Sequence, residues 1–167
     1  AAATAGGASA VAESTELYEF EFRYPTEAGR IPALRAWFDA RREAARRGLV
    51  ANAREGRANA AEMAFDFHPY AKGEVWETVT ETPRFLSLSA SVYEFSGGAH
   101  PNHWADGLVW DKRAGMRREP IELFASKAAF DSAVGDPFCA ALDRQRAERR
   151  GEPVNRAGGG MFDQCIA

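Results

Sequence analysis

The chain is short of lysine, histidine, cysteine and long apolar runs, and each shortage narrows what it can be. No run approaches the roughly 20 apolar residues that a membrane-spanning helix needs. Positive charge is not in surplus: 21 Lys and Arg face 24 Asp and Glu, for a formal net charge of −3. No strip interleaves basic and aromatic residues, so the marks of a nucleic-acid binder are absent. Neither cysteine, Cys139 nor Cys165, has an adjacent histidine to activate it as a nucleophile. Hydrophobic residues at 46% and charged residues at 27% exclude global disorder. A length of 167 residues suits one domain.

The first 15 residues are of different material, almost all Ala, Gly, Ser and Thr, and the composition predicts a flexible leader there. Patterning begins at Leu17. Tyr18, Phe20, Phe22 and Tyr24 alternate with Glu19, Glu21 and Arg23, which predicts a half-buried strand. Ile31, Leu34, Trp37, Phe38, Ala45 and Leu49 recur at helical spacing over 31–47, and an alanine-rich segment over 51–64 predicts a second helix or a continuation. Eight arginines fall between Arg30 and Arg57, against three carboxylates, and read as a solvated basic helix face. The run from His68 to Gly73 reads as a turn, and strands follow over 74–82, 84–95 and 105–111. Glu74, Glu77 and Glu81 read as an acidic strand face. Ser126 is a candidate N-cap for a helix to Val134, and Asp136-Pro137 starts another to about Arg149. Arg156 to Gly160 reads as a glycine-rich linker, not a phosphate loop, because no Lys-Ser/Thr follows.

These elements predict an α+β fold: an antiparallel meander packed against a long N-terminal helix, with C-terminal helices. The predicted domain spans 16–167, either single or as two packed halves, 16–73 and 74–167. Tyr18, Phe20, Phe22, Trp37, Phe38, Leu86, Leu88 and Val92 form the predicted core, with Leu86, Leu88, Ala90 and Val92 on one face.

The segment with the most chemistry is Tyr93 to Trp104. A strand runs into Gly97-Gly98, and two histidines follow within a few residues. Ser96, Gly97, Gly98, His100, Asn102 and His103 are the candidate ligand-binding loop, because glycines permit a sharp turn that presents polar groups at a hairpin end. His100, His103 and Asp106 are candidate metal ligands, although Pro101 argues against a helix that would align the histidines. No catalytic residue is assigned: no nucleophile elbow occurs, and the strand glutamates lack the apolar setting of a general acid.

Thr82-Pro83-Arg84-Phe85-Leu86-Ser87-Leu88-Ser89, Gly97-Gly98-Ala99-His100, Asp111-Lys112-Arg113-Ala114-Gly115 and Pro120-Ile121-Glu122-Leu123-Phe124 occur in this order. In them the chain resembles the extracytoplasmic domain pair found N-terminal in polysaccharide deacetylases and in the outer domain of a lysozyme-sensing anti-sigma factor. It also resembles small periplasmic or lipoprotein versions of that pair. The resemblance covers 18–124 well and implies export, with the leader following a removed signal peptide or a lipid-attached cysteine. It also implies that family strands expected after the Cys165 region are missing here. In an exported protein Cys139 and Cys165 read as a disulfide, whereas in a cytosolic one they would be free thiols. The function so implied is a noncatalytic binding or sensing module for cell-wall glycan or a lysozyme-like protein, without cofactor and without nucleic acid. A metal-assisted hydrolase built on His100 and His103, and a structural lipoprotein domain, are the alternatives.

Overall fold

The computed structural model describes residues 7–158, 160 and 163–165. Contacts divide it into two compact units, Ala1–Arg118 and Glu119–Ala167. The 73/74 position considered for a division falls inside a strand, Tyr70–Glu81, that is paired on both sides.

The first unit is a six-stranded sheet in sequence order, with strands β1 (Ser9–Ser14), β2 (Tyr18–Tyr24), β3 (Tyr70–Glu81), β4 (Phe85–Phe95), β5 (Asn102–Asp111) and β6 (Met116–Arg118). A short helix α1 (Thr26–Gly29) and the 31-residue α2 (Pro32–Glu62) connect β2 to β3. Every neighbouring pair is antiparallel except β2 and β3, which run parallel because α2 carries the chain back across the sheet. The α+β class is as the patterning predicts.

Several expectations are corrected. Ser9–Ser14, expected within the flexible leader, is a strand that pairs with β2 in the register Val11↔Phe22. Backbone pairing holds this strand where side-chain bulk is lacking, and Thr15 fastens its hairpin by accepting from the Tyr18 amide at 2.9 Å. Residues 1–6 lie outside the described residues. Of the two options left open for 51–64, the continuation is the one found, since α2 runs unbroken from Pro32 to Glu62. The predicted turn over 68–73 becomes strand from Tyr70, because Tyr70 to Val75 pairs with Tyr18 to Arg23 in parallel, a long-range pairing that overrides local turn preference. The β5 strand begins three residues early at Asn102, in register with Glu94.

One face of the sheet is covered by α2. Tyr18, Phe20, Phe22 and Tyr24 bury there, and Leu86, Leu88, Ala90 and Val92 point together into the same core. Phe38 of α2 is fully buried, with Tyr24, Trp76 and Phe22 around it. A bulge between Thr78 and Thr80 inverts the alternation at the end of β3, leaving Val79 exposed.

The two interior glycines of α2 differ in environment. A Cβ on Gly56 would run into the Tyr70 ring and hydroxyl, whereas one on Gly48 meets nothing. Gly48→Ala is expected to stabilise the protein by about 1 kcal/mol, the helix-propensity difference. Gly56→Ala is expected to show no such gain, because Tyr70 must shift. Urea denaturation of the two variants side by side checks the contrast, and equal stabilisation would show that Tyr70 yields freely.

The second unit contains a 3₁₀ turn, Pro120–Leu123, the helix α3 (Lys127–Arg150) and a 3₁₀ turn, Arg156–Gly158. The two predicted C-terminal helices are continuous, with Pro137 inside α3. Ser126 is the N-cap, its hydroxyl accepting from the Ala129 amide at 3.1 Å. Cys139 and Cys165 form a disulfide with their Cα atoms 5.6 Å apart. The linker over 156–160 is a 3₁₀ turn at its start, and Gly159 lies outside the described residues. No helix among the described residues is long and apolar enough to cross a membrane.

Candidate functional site

The sheet face opposite α2 is open, and strand register lines up a row of side chains across it. Ala12, Glu21, Gly73, Tyr93 and His103 are cross-strand neighbours from β1 to β5. Gly73 contributes no side chain, so the row has a gap floored by backbone, with a carboxylate on one side and an aromatic ring on the other. Neighbouring strands lie about 4.8 Å apart, so Glu21 and Tyr93 stand roughly 10 Å apart across the gap. Ala71 and Ser91 extend the low floor, and the result is a trough of about 580 Å³. That volume lies within the range of small-ligand sites, roughly 300–1,000 Å³. The Tyr93 and His103 rings meet edge to face, 5.0 Å between centroids, and stiffen one wall. On the other wall Glu21 pairs with Arg23 at 3.0 Å, both about half exposed. Glu19 makes no ion pair with another described residue.

The candidate loop residues are not brought together. Ser96 to Pro101 make the β4–β5 connection, with Gly97 at φ +83° packed over Tyr70. The His100 ring nitrogen Nδ1 lies 3.3 Å from the Pro101 carbonyl, so this histidine is turned to its own loop. Asn102 and His103 belong to β5, and only His103 reaches the trough. Asp106 differs from His103 by an odd number of strand positions and therefore faces α2, where Arg41 Nη2 donates to it at 2.9 Å. His103 and Asp106 thus lie on opposite faces of the sheet. No group of three or more metal-ligating side chains converges among the described residues.

The residues that carry the family resemblance fasten the end of the meander. Asp111 is 1% exposed; its Oδ1 accepts from the amides of Arg113 and Ala114, both at 3.0 Å, and its Oδ2 accepts from Arg84. Lys112 donates through Nζ to Glu81 at 2.6 Å and to the Thr82 carbonyl at 2.7 Å. The Ala114 amide first, and then the Arg84 guanidinium, hold the Asp111 carboxyl below its ordinary pKa. The folded pKa is depressed, so this stabilisation is fully present above the unfolded value, about pH 4, and is lost as pH falls through the lower folded value. Asp111→Asn is therefore expected to be less stable than wild type at neutral pH, with the gap closing only below about pH 4. Denaturant midpoints over pH 2–7 check this, and a gap independent of pH would show that charge at Asp111 plays no part.

The arginine face of α2 is not simply solvated. Arg41 Nε donates to the buried Glu74 at 2.7 Å, and its guanidinium lies between the Trp37 and Trp76 rings at 5.4 and 5.3 Å. Arg46 Nε donates to Glu13 at 2.8 Å, and the Tyr18 hydroxyl donates to the same carboxylate at 2.6 Å. The Tyr18 hydrogen bond first, and Arg46 with it, lower the pKa of Glu13, while donation to Glu13 raises that of Tyr18. These groups fasten α2 to β1, β3 and β5. The predicted acidic strand face is dispersed as well: Glu74 turns inward to Arg41, Glu81 joins Lys112, and Glu77 alone faces out on the open side.

Glu19, Glu21, Gly73 and Ser91 were not legible as a site. The first two alternate with buried aromatics and read as plain solvent-facing positions. Gly73, taken for a turn residue, carried the available signal: a glycine inside an alternating strand marks a close backbone approach.

Fold and surface together define an open-faced α+β sheet domain with a carboxylate- and aromatic-walled trough, opposite a face sealed by one long helix. Residues 11–103 match the family model described as deacetylase PdaC, and the chain belongs to that family. A member of the DUF3298 family from Bacteroides fragilis NCTC 9343 is similar in structure, with a TM-score of 0.56 and 14% identity over 90% of this chain and 70% of that one. A DUF3298 family protein from Pseudomonas aeruginosa PAO1 aligns with a TM-score of 0.49 and 14% identity, covering 86% of this chain and 70% of its own. No curated protein matches the chain.

Proposed function

We propose that this chain is a noncatalytic, extracytoplasmic binding module whose open sheet face takes a cell-wall glycan. The observation that carries the reading is the Gly73 gap between Glu21 and Tyr93. A gap of roughly 10 Å between two walls admits a pyranose ring lying against bare backbone. The Tyr93 ring offers an apolar face for the sugar's C–H groups, and Glu21 accepts from its hydroxyls. The disulfide supports an oxidising compartment. The resemblance to a domain preceding polysaccharide deacetylases supports a glycan, and the family model's own description names a deacetylase. A cationic cell-wall-active protein such as lysozyme is the second reading, favoured by the excess of carboxylates over Arg23 on this face.

Co-sedimentation with purified peptidoglycan tests the proposal, with lysozyme-coupled resin as the parallel arm. Wild type is expected to sediment with peptidoglycan, and Tyr93→Ala is expected to weaken binding roughly tenfold, the effect of about 1.4 kcal/mol. Gly73→Leu should block the floor, since a Cβ there is in ordinary contact only and a longer side chain must project into the trough. Circular dichroism checks that both variants fold. Equal sedimentation of all three proteins would overturn the reading, and retention on lysozyme alone would replace it with the second.

A further inference from the structure

We infer that the sugar selected by this trough bears a free ammonium group, an N-deacetylated hexosamine rather than its N-acetyl form; this rests on the glycan reading above. Register sets which charges stand on the open face. Alternation sends Glu19, Glu21 and Arg23 of β2 to that face, together with Glu77 of β3. Arg23 is committed to Glu21. Glu19 and Glu77 make no ion pair with other described residues, so the face keeps two carboxylates without a countercharge. Lys72, which borders the trough, and Arg46, bound to Glu13 beside it, do not supply one. Lys72 and Arg46 are held by Glu94 and Glu13 at 2.7 and 2.8 Å, on the α2 side.

The geometry favours a cation attached to a ring. Glu19 and Glu21 are two positions apart on one strand, so their side chains emerge about 7 Å apart along the wall. A ring seated over Gly73 against Tyr93 directs an equatorial substituent toward that wall. An ammonium there meets Glu19, which has no ion-pair partner among the described residues, and Glu21, whose charge Arg23 shares, and it donates hydrogen bonds to both. An acetamide would set a methyl group against the same carboxylates and supply only one donor, and an anionic sugar would be repelled. Because the carboxylates are exposed, the preference should weaken as salt rises and the Debye length shortens toward the size of the site.

The experiment titrates the oxidised chain by calorimetry with two probes of equal length, fully deacetylated chitohexaose and hexa-N-acetylchitohexaose, at pH 6 in low salt. The deacetylated probe is expected to bind at least tenfold tighter, and the advantage should shrink at high salt. Glu19→Gln/Glu21→Gln is expected to remove the preference while keeping the fold, whereas Tyr93→Ala weakens both probes. Equal or tighter binding of the acetylated probe would overturn the inference and leave the glycan reading standing. Binding of neither would overturn both. A preference that survives the double glutamine variant would place the reading of the ammonium elsewhere and overturn the assignment to these residues.

Discussion

Phe38→Ala is expected to cost about 3–5 kcal/mol of stability, the range for deleting a buried aromatic side chain. Phe38 lies at the centre of the aromatic core. Its ring stacks on Tyr24 at 5.0 Å and meets the Trp37 and Trp76 rings edge to face at 4.9 and 5.2 Å. It is fully buried, so truncation removes apolar contact from β2, β3 and α2 at once and leaves a cavity in a region already crowded by ring planes. Relaxation of these rigid neighbours is limited, which places the cost toward the upper end. For a chain of this length such a loss lowers the melting temperature by on the order of 10 °C. Thermal unfolding followed by tryptophan fluorescence reads it directly, because Trp37 and Trp76 report from the same cluster. A shift of only a degree or two would mean that the cluster repacks and that Phe38 is not its keystone.

The second large effect concerns the disulfide. Replacing both Cys139 and Cys165 with alanine is expected to destabilise the Glu119–Ala167 unit by about 3 kcal/mol, following the loop-closure dependence for a separation of 26 residues. Among the described residues the segment after Gly151 is also held by Arg150 to Asp163 at 2.6 Å, Arg156 to Asp143 at 2.7 Å and Arg146 to the Gln164 carbonyl at 3.0 Å, all at least partly exposed. Exposed ion pairs of this kind contribute about 1 kcal/mol or less each. Hydrogen exchange in α3 is therefore expected to accelerate by roughly two orders of magnitude in the double variant, while exchange in the sheet stays unchanged. An unchanged α3 would show that the bridge does not restrain this unit. Acceleration of the sheet as well would show that the two units unfold together.

Local alternation and composition were legible where burial has a short period. Leu86, Leu88, Ala90 and Val92 read as one face because the central strand buries one side along its length, and they do share a face. Ser126 and the pairing of Cys139 with Cys165 were equally readable, the second only once an oxidising compartment was assumed. What escaped reading depends on partners far away in the chain. Tyr70 to Gly73 looks like a turn until β2 is set beside it. The arginines of α2 look solvated until Glu13, Glu74 and Asp106 are brought beneath them by strands 33 to 65 residues away. The trough is a still harder case, since each strand contributes only a few ordinary residues and only register makes them neighbours. The histidine loop drew attention because histidines are rare in the chain, but rarity carries no geometry.

The parallel seam between β2 and β3 sets the order in which the sheet assembles. The β3–β4–β5 meander closes through short connections, 82–84 and 96–101, while β2 reaches β3 only after residues 25–69 have been ordered. Long closures cost more chain entropy before any contact repays them, so the seam zips late and opens early. The trough straddles this seam, with Glu19 and Glu21 on the late side and Gly73 and Tyr93 on the early one. A sugar held between them, as proposed above, would act as a kinetic clasp: bound after the folding barrier has been crossed, it would slow unfolding while leaving the folding rate almost unchanged. Stopped-flow unfolding with and without glycan reads that asymmetry, and an equal effect on both limbs would mean that the seam is already closed at the barrier.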